Sequence, residues 1–169
     1  MDGINRYNQR VEVIVTTTQE HDWHMPDWWF RENRPNNDNI YFENLCRCIF
    51  QAGLNWSVID KKWPTTKTAF SDFDVHEVAR LTDSDVERLL RDEGIVRNRS
   101  KICGIIYNAQ GFEAIEKQCG SFRAYLESLD KSNNYAAAVK DLTHKFKHIG
   151  QATATLFLYS VGENIKVWG

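Results

Sequence analysis

Apolar residues along the first half of the chain recur with the spacing of helices. Between residues 40 and 51 one helical face carries Ile40, Tyr41, Leu45, Cys48 and Ile49. The preceding Asn36-Asn37-Asp38 offers N-cap side chains, and Gly53 is expected to end this helix. A second helix is predicted from about Trp56, with Pro64 kinking or stopping it near Lys62.

Capping signals predict further helices in the middle of the chain. Asp74-Val75-His76-Glu77 and Thr82-Asp83-Ser84-Asp85 resemble capped helix starts, and the second of these helices is expected to close at Gly94. Longer helices are predicted over residues 101–118, from Ser121 to about Leu129, and over residues 135–146. With eight or nine helices and little or no sheet, the sequence predicts an all-α domain.

The stretch from Lys145 to Gly162 predicts a hairpin that opens a buried helix, because the chain is almost wholly apolar after Gly150. Gly150 is expected to take the positive φ of a tight turn, and its missing Cβ lets another backbone approach. The helix start would then present unpaired N–H groups and a partial positive charge beside Lys145 and Lys147, as phosphate sites do. A plain turn flanked by solvated lysines is the alternative.

Residues 1–36 have the least regular pattern. Residues 11–15 alternate enough for a short strand or an extended arm. Between residues 19 and 35 the chain mixes histidines, three tryptophans and two prolines, which predicts an irregular loop that forms the wall or lid of a site. We therefore expect an N-terminal arm and aromatic loop over residues 1–36 and a helical domain over residues 37–169, together forming one compact unit.

The charge balance restricts the partners of the chain. A formal net charge of -2 and a pI near 6.2 do not mark a nucleic-acid binder, so any DNA contact must come from a local basic patch and should be sensitive to salt. No 18-residue apolar run, signal peptide or lipidation motif is present. We expect no membrane association and a cytoplasmic location.

Cysteine and tryptophan suggest a pocket rather than a cross-linked framework. Cys46, Cys48, Cys103 and Cys119 lack the spacing of a disulfide framework or of a zinc pair, and are expected to be reduced core or pocket thiols. Several tryptophans in the first third could line a pocket for a flat ligand, namely Trp23, Trp28, Trp29 and Trp56. Core packing is the alternative, and for Trp63 it is preferred.

A specific resemblance rests on ordered motifs between Phe42 and Gly162. They are Gln51-Ala52-Gly53-Leu54-Asn55-Trp56, Lys61-Lys62, Phe73-Asp74, Asp85-Val86-Glu87-Arg88-Leu89, Gly94-Ile95-Val96-Arg97-Asn98-Arg99-Ser100-Lys101-Ile102 and Phe146-Lys147-His148-Ile149-Gly150. In order and spacing they resemble the DNA-3-methyladenine glycosylase I family. The resemblance implies an all-α, helix-hairpin-helix DNA glycosylase-like domain.

The resemblance also implies an activity. A member of this family would hydrolyse the N-glycosidic bond of an alkylated base such as 3-methyladenine, flipped out of double-stranded DNA into an aromatic pocket. Methylation at N3 makes the base cationic and a good leaving group, and a π-rich pocket prefers a cation. We expect a monofunctional enzyme that uses water as the nucleophile, needs no cofactor and acts as a monomer.

The resemblance assigns roles to residues of this sequence. Trp56 lies where the family stacks on the base, and Trp28 and Trp29 are candidates for its N-terminal aromatic wall. Leu54, which follows Gly53, lies where an apolar wedge would fill the gap in the base stack. Contacts with the DNA backbone are expected from two segments, the hairpin (Lys147, Ile149, Gly150, Gln151, Thr153) and a basic turn (Arg97, Arg99, Lys101), although the basic turn could instead cap a helix.

The sequence departs from the family in two respects. The base-recognising glutamate expected eight residues before Trp56 is replaced by Cys48, and Asn44, one turn earlier, offers hydrogen bonds but no charge. The catalytic residue is therefore left unassigned. The family's zinc ligands also lack counterparts, since no cysteine precedes Cys46, the late histidine position is Lys166, and the sequence stops where the last cysteine would follow. We expect no metal.

Two other functions remain open at this point. The first is a catalytically inactive helix-hairpin-helix module that kept DNA binding and lost the chemistry. The second is a different hydrolase built on Cys48 and a histidine, which is the weaker alternative because no histidine stands within one helical turn of Cys48.

Overall fold

The computed structural model describes residues 25–167, and within that range the chain forms α-helices and no strand. The helices are α1 (Asp38–Gln51), α2 (Trp56–Ala69), α3 (Val75–Ala79), α4 (Asp83–Leu89), α5 (Arg99–Cys119), α6 (Phe122–Ser128), α7 (Ser132–Lys145) and α8 (Gln151–Ser160). A 3₁₀ turn, Ser71–Phe73, joins α2 to α3. The predicted all-α class is confirmed. The strand or arm expected over residues 11–15 lies outside the described residues, as does Trp23.

Polar caps start several helices where the sequence predicts them. The side chains of Asn37, Asp74 and Ser121 each accept a hydrogen bond from a backbone N–H in the first turn of the following helix. Thr82 and Asp85 form a reciprocal capping box at the start of α4. These bonds satisfy N–H groups that have no partner inside the helix, so the local sequence determines where each helix begins.

The predicted end of α2 is wrong, because the helix continues through Pro64 to Ala69. The Pro64 ring faces solvent, whereas its neighbours Trp63 and Thr66 are buried in the core. The Thr66 hydroxyl also donates to the carbonyl oxygen of Lys62 at 2.7 Å. Packing on both sides of the proline therefore outweighs its local cost to the helix.

The predicted end of α4 is also wrong, since the helix stops at Leu89 rather than at Gly94. The amide of Gly94 is turned towards Asp92, whose Oδ1 accepts its N–H at 2.8 Å. Both Leu89 and Ile95 are buried. The chain therefore turns between these two core side chains instead of continuing as a helix.

Helix α1 lies at the centre of the fold, where it packs against α2, α3, α5, α6 and α8. Phe42 of α1 lies edge-on to Phe112 of α5 at 5.2 Å, and Phe112 stacks on Phe122 of α6 at 4.2 Å. Trp63 is buried and stacks on Phe73 at 5.1 Å, which confirms core packing for this tryptophan. Such aromatic pairs contribute beyond their buried area, and they fix the helices around α1.

The described part of the aromatic loop is bonded to the end of α8. The backbone N–H of Phe30 donates to the carbonyl oxygen of Ser160 at 2.7 Å. The Arg31 guanidinium lies 3.7 Å over the Tyr159 ring and donates to the carbonyl oxygens of Tyr159 at 2.6 Å and Glu163 at 3.2 Å. These bonds hold residues 28–31 against the helical body.

A buried carboxylate links the start of α7 to the chain that follows α8. Glu163 is 1% exposed, and its Oε2 lies 3.2 Å from Lys131 Nζ and 3.7 Å from an Arg34 nitrogen. The same oxygen accepts a hydrogen bond from the Tyr135 hydroxyl at 3.1 Å, and burial raises the pKa of this tyrosine. Because a buried charge requires partners, this cluster gives the turn after α8 one defined position.

Residues 25–167 contain neither a membrane-spanning helix nor a cluster of metal ligands. No helix in this range is long and apolar enough to cross a bilayer. No three histidine, cysteine, aspartate or glutamate side chains in the same range form a group that could hold a metal ion. These residues therefore do not fit the family's zinc site on their own, and the absence of metal stays a prediction.

Candidate nucleic-acid interface

The hairpin between α7 and α8 spans residues 146–150. Gly150 is the N-cap of α8 with φ -84° and ψ 178°, so the positive φ predicted for it is wrong. The left-handed residue is His148, with φ 60°. The turn is made two residues earlier than predicted because the Asn108 side chain binds the backbone of Lys147, and the hydroxyl and carbonyl oxygens of Ser100 bind the ring of His148.

The start of α8 is open to an anion. Gly150 and Gln151 are exposed, and Gly150 provides no side-chain cap for the first turn. A Cβ atom built on Gly150 would meet no atom within 4 Å. Unpaired N–H groups and the partial positive charge of a helix start therefore face free space, as the hairpin pattern predicts.

The other predicted hairpin residues divide into two groups. Lys147 is exposed, and its Nζ lies 4.4 Å from the centroid of the Tyr107 ring. Ile149 and Thr153 are 5% and 6% exposed, so their side chains belong to the core. Their burial agrees with a contact made by the backbone amides of the hairpin, and the DNA contacts expected of these two residues stay a prediction.

One face of α5 supports the hairpin, and we call it the hairpin seat. It consists of Ser100, Gly104, Asn108 and Gly111, which follow one another at spacings of three or four residues and therefore share a helical face. Asn108 is completely buried, donates to the carbonyl oxygen of Lys147 at 3.0 Å and accepts its N–H at 2.7 Å. Small and polar residues at helical spacing were a visible signal of the seat in the sequence, but no role was predicted for them.

The His148 ring packs directly onto the hairpin seat. A Cβ atom at Gly104 would lie 2.5 Å from its Cδ2, a distance that real Cβ atoms essentially never show. The ring Nε2 lies 3.0 Å from both the carbonyl oxygen and the hydroxyl oxygen of Ser100. Since a carbonyl can only accept, Nε2 carries the proton in the bond to the Ser100 carbonyl.

The loop between α1 and α2, residues 52–55, carries the predicted wedge. Gly53 has φ 78°, a conformation that favours glycine, and it is exposed. Leu54 is partly buried against the core, and Trp56 is partly buried at the first position of α2. The loop also has a long-range support, because Lys101 Nζ of α5 donates to the carbonyl oxygen of Ala52 at 3.0 Å.

The predicted basic turn does not act as one group. Arg97 and Arg99 are exposed, and Arg99 is paired with Glu87 at 2.7 Å. Lys101 is half-buried, and desolvation lowers its pKa. Its bond to Ala52 directs the amine towards the wedge loop, and the phosphate contact expected of Lys101 stays a prediction.

Two of the predicted base-site residues belong to a buried polar group that we call the α1–α8 cluster, formed by Asn44, Cys48 and Ser160. Cys48 is completely buried and hydrogen-bonded to the Ser160 side chain, and burial raises the pKa of its thiol well above the usual range. Asn44 Nδ2 donates to the carbonyl oxygen of Trp28 at 3.0 Å and contacts both oxygens of Ser160 at 3.3 and 3.4 Å. Since a cysteine nucleophile must be a thiolate, a neutral Cys48 argues against the hydrolase alternative.

The remaining cysteines correct a further expectation. Cys46 is buried like Cys48, but Cys103 and Cys119 are exposed and are neither core nor pocket residues. Both lie on α5, and Cys119 is its last residue. The four thiols are free.

The two adjacent tryptophans have different environments. Trp29 is 5% exposed and lies edge-on to Trp28 at 5.9 Å and to Tyr159 at 5.3 Å, so it is a core side chain rather than an open stacking surface. Trp28 is partly buried and borders two cavities of about 530 Å³ and 270 Å³. The Arg47 guanidinium lies 5.0 Å from the Trp28 ring. Of the two, Trp28 is the one placed to wall a pocket.

Comparison with known proteins extends the resemblance beyond the motifs. The family model for methyladenine glycosylase matches residues 14–162, which include part of the N-terminal arm. The DNA-3-methyladenine glycosylase of Haemophilus influenzae is 28% identical over 160 residues, which are 83% of this chain and 84% of that protein. DNA-3-methyladenine glycosylase 1 of Escherichia coli is 37% identical over 95 residues, which are 56% of this chain and 49% of that protein.

Solved structures agree with the sequence relatives. A crystal structure of 3-methyladenine DNA glycosylase I has a TM-score of 0.70 and 28% identity, with 83% of this chain and 91% of that chain covered. A Staphylococcus aureus structure that describes 3-methyladenine recognition by 3-methyladenine DNA glycosylase I has a TM-score of 0.67 and 28% identity, with coverages of 88% and 85%. Because the family model spans most of the sequence, this chain belongs to the methyladenine glycosylase family.

Proposed function

We propose that this protein is a monofunctional DNA glycosylase that hydrolyses the N-glycosidic bond of an alkylated adenine, such as 3-methyladenine, in double-stranded DNA. The observation that carries the proposal is the family match over residues 14–162. The open start of α8 supports its DNA-binding part. The protein acts as a monomer in the cytoplasm, without a cofactor.

The hairpin binds one DNA strand. A phosphate group lies against the uncapped first turn of α8, where Gly150 leaves room for it and Gln151 is exposed. Lys147 adds a positive charge at the same turn. Since none of these groups contacts a base, this part of the interface positions the protein on DNA without selecting a sequence.

The loop before α2 extrudes the base. Leu54 enters the gap in the stack, and Trp56 stacks on the extruded base at the start of α2, with Trp28 as a second aromatic wall. A cationic base is held by the face of the indole and leaves readily once water attacks the sugar carbon. Because Cys48 is neutral and buried, aromatic stacking contributes more to base recognition here than it would beside a carboxylate.

An inactive DNA-binding module is the second candidate. The specific observation in its favour is that Asn44 and Cys48, the residues at or near the expected glutamate position, are bonded to Ser160 inside the fold. A chain that had lost the chemistry would need only the hairpin, its seat and the scaffold. The two candidates differ in whether base is released.

The test measures base release from methylated duplex DNA together with affinity for undamaged duplex. Gly150→Asp places a side chain and a negative charge against the phosphate, so affinity should fall for all sequences alike. Trp56→Ala should retain undamaged-duplex binding but lose stacking worth ~1–3 kcal/mol, and base release should fall accordingly.

Cys48→Glu separates the two candidates more sharply. It restores a carboxylate at the position of the family's base-recognising glutamate, so if the base pocket reaches this position the variant should release more 3-methyladenine than the wild type does. If wild type and Cys48→Glu both release no base while DNA binding persists and depends on Gly150, the enzyme proposal is wrong and the binding module stands.

A further inference from the structure

The first turn of α5 contacts both DNA-facing loops of the molecule. Ser100 and Lys101 are consecutive residues in this turn, which Asn98 caps by accepting the Lys101 N–H at 3.0 Å. Ser100 bonds to His148 in the hairpin, and Lys101 bonds to Ala52 in the wedge loop. One turn of a single helix therefore joins two loops that are far apart in the sequence.

Lys101 makes a long-range contact to the wedge loop. The loop contains Gly53 in a left-handed conformation, and such a segment is easily displaced unless something holds it. The Lys101 side chain is half-buried, and its Nζ reaches the Ala52 carbonyl at 3.0 Å. A half-buried amine that lost this acceptor would keep part of its desolvation cost, so the bond favours the observed position of the loop.

The hairpin is held just as firmly on the other side of the turn. Asn108 bonds both backbone groups of Lys147, and His148 packs on Gly104 and bonds to Ser100. Both loops are thus bonded to the same helix, α5, which fixes their positions relative to each other. A small displacement of either loop would change the distance between the bound strand and the side chain that must enter its stack.

We propose that Lys101 is a positioning residue for base extrusion. It fixes Gly53 and Leu54 relative to the DNA strand held at Gly150. It acts through Ala52 and does not itself contact phosphate or base. The proposal rests on the proposed function, in which the hairpin binds the strand and Leu54 enters the stack.

The experiment compares Lys101→Met with a matched control, Lys62→Met. Lys62 also donates its amine to a backbone carbonyl, that of Glu93 at 2.9 Å, but it joins α2 to the turn after α4. Both changes remove one charge and one such bond. Three quantities are measured: affinity for duplex DNA, the fluorescence rise of a 2-aminopurine beside the target base, and kcat and KM for base release.

We expect Lys101→Met to keep duplex affinity within about twofold and to lose most of the 2-aminopurine rise. Since misplacement by about 1 Å can cost a factor of about 100 in rate, kcat should fall about tenfold or more while KM changes little. Lys62→Met should match the wild type in all three measurements. Lys101→Gln, whose amide is one atom too short for the Ala52 carbonyl, should behave like Lys101→Met and replaces it if the methionine variant does not fold.

Two results from the Lys101 variants would overturn the proposal. One is an unchanged 2-aminopurine rise. The other is a loss of affinity as large as the loss of base release, with a salt dependence reduced by about one phosphate contact, which would make Lys101 a DNA ligand. A wild type that extrudes the base without releasing it would contradict the proposed function, while the fluorescence comparison would still decide the role of Lys101. A wild type that binds duplex without any extrusion overturns both.

Discussion

The hairpin seat and the α1–α8 cluster each contain a buried asparagine, Asn108 and Asn44, but the polar groups of the two regions form different bonds. In the seat, Asn108 and Ser100 bond a neighbouring loop and leave the start of α8 open. In the cluster, Asn44 and Cys48 are bonded to Ser160 inside the fold. Polar residues that lie beneath a site and bond its loop thus leave the surface of the site free. Polar residues that bond one another at the site itself become part of the core.

The largest expected effect comes from placing a charge in the α1–α8 cluster. Cys48→Glu should lower the free energy of unfolding by about 3–5 kcal/mol near pH 8, because an unpaired carboxylate would be buried there. Burial raises the pKa of such a group above that of the unfolded chain. The loss is therefore full above this raised pKa, shrinks as the pH falls through it, and is gone below about pH 4, near the pKa of the unfolded chain.

Urea denaturation at pH 4.5 and pH 8 would measure this difference. Cys48→Gln is the matched control, because it has a similar size and no charge. An equal loss for both variants at both pH values would mean that volume, not charge, limits position 48.

The next prediction compares an asparagine-to-alanine change in the hairpin seat with the same change in the α1–α8 cluster. Asn108→Ala and Asn44→Ala each remove a buried amide that bonds backbone groups, so each should cost about 2–4 kcal/mol of stability. Of the two variants, only Asn108→Ala should also weaken duplex binding, because Asn108 bonds the hairpin and Asn44 does not. Chemical denaturation and fluorescence anisotropy measure the two quantities.

The proposed difference, that the hairpin seat supports DNA binding and the α1–α8 cluster does not, would be wrong if Asn44→Ala weakened duplex binding as much as Asn108→Ala. Binding should be measured in buffer without urea, at a temperature well below the unfolding midpoints of both variants. Loss of folded protein is then not mistaken for loss of affinity.

The smallest expected effect concerns a charged contact of α5 outside the hairpin seat. His76 of α3 lies 2.7 Å from Glu113 and 3.3 Å from Glu116, and the bond to Glu113 raises its pKa above the ordinary 6.5. A raised pKa stabilises the fold fully below about pH 6.5, and this contribution disappears as the pH rises through the folded value. Because the site is exposed, the effect should be slight.

Thermal unfolding of wild type and His76→Gln between pH 5.5 and pH 8.5 would detect the pH-dependent contribution of His76 to stability. The stability advantage of the wild type should be greatest at the acidic end and vanish at the alkaline end. An advantage that grows with pH would show that the neutral ring, not the imidazolium, makes the useful contact.

Local signals were sufficient for the helices but not for their extent. Caps such as Thr82 with Asp85 involve neighbours in the sequence, so the sequence reveals them directly. Pro64 was misjudged because the burial of Trp63 and Thr66 depends on packing against distant elements. Likewise, the left-handed residue of the hairpin is His148 and not Gly150, because contacts from α5 determine the turn.

The candidate site shows the same limit. The hairpin was recognisable as a motif, and its exposed helix start agrees with that prediction. The replacement at Cys48 was also visible in the sequence, but its bond to Ser160 joins two helices and could be seen only in the fold. The support of the wedge loop by Lys101 was missed for the same reason, since a basic turn resembles a phosphate contact until its acceptor is known.

The contact between Gly104 and His148 has a consequence for how this chain can evolve. A single added methyl group at residue 104 would meet the His148 ring at 2.5 Å, so enlarging one partner is tolerated only when the other is reshaped. In relatives that carry alanine or a larger residue at position 104, we expect the hairpin residue to have changed as well. The two positions should therefore be inherited as a pair, and grafting the hairpin of one homologue onto the helix of another should fail unless both are exchanged together.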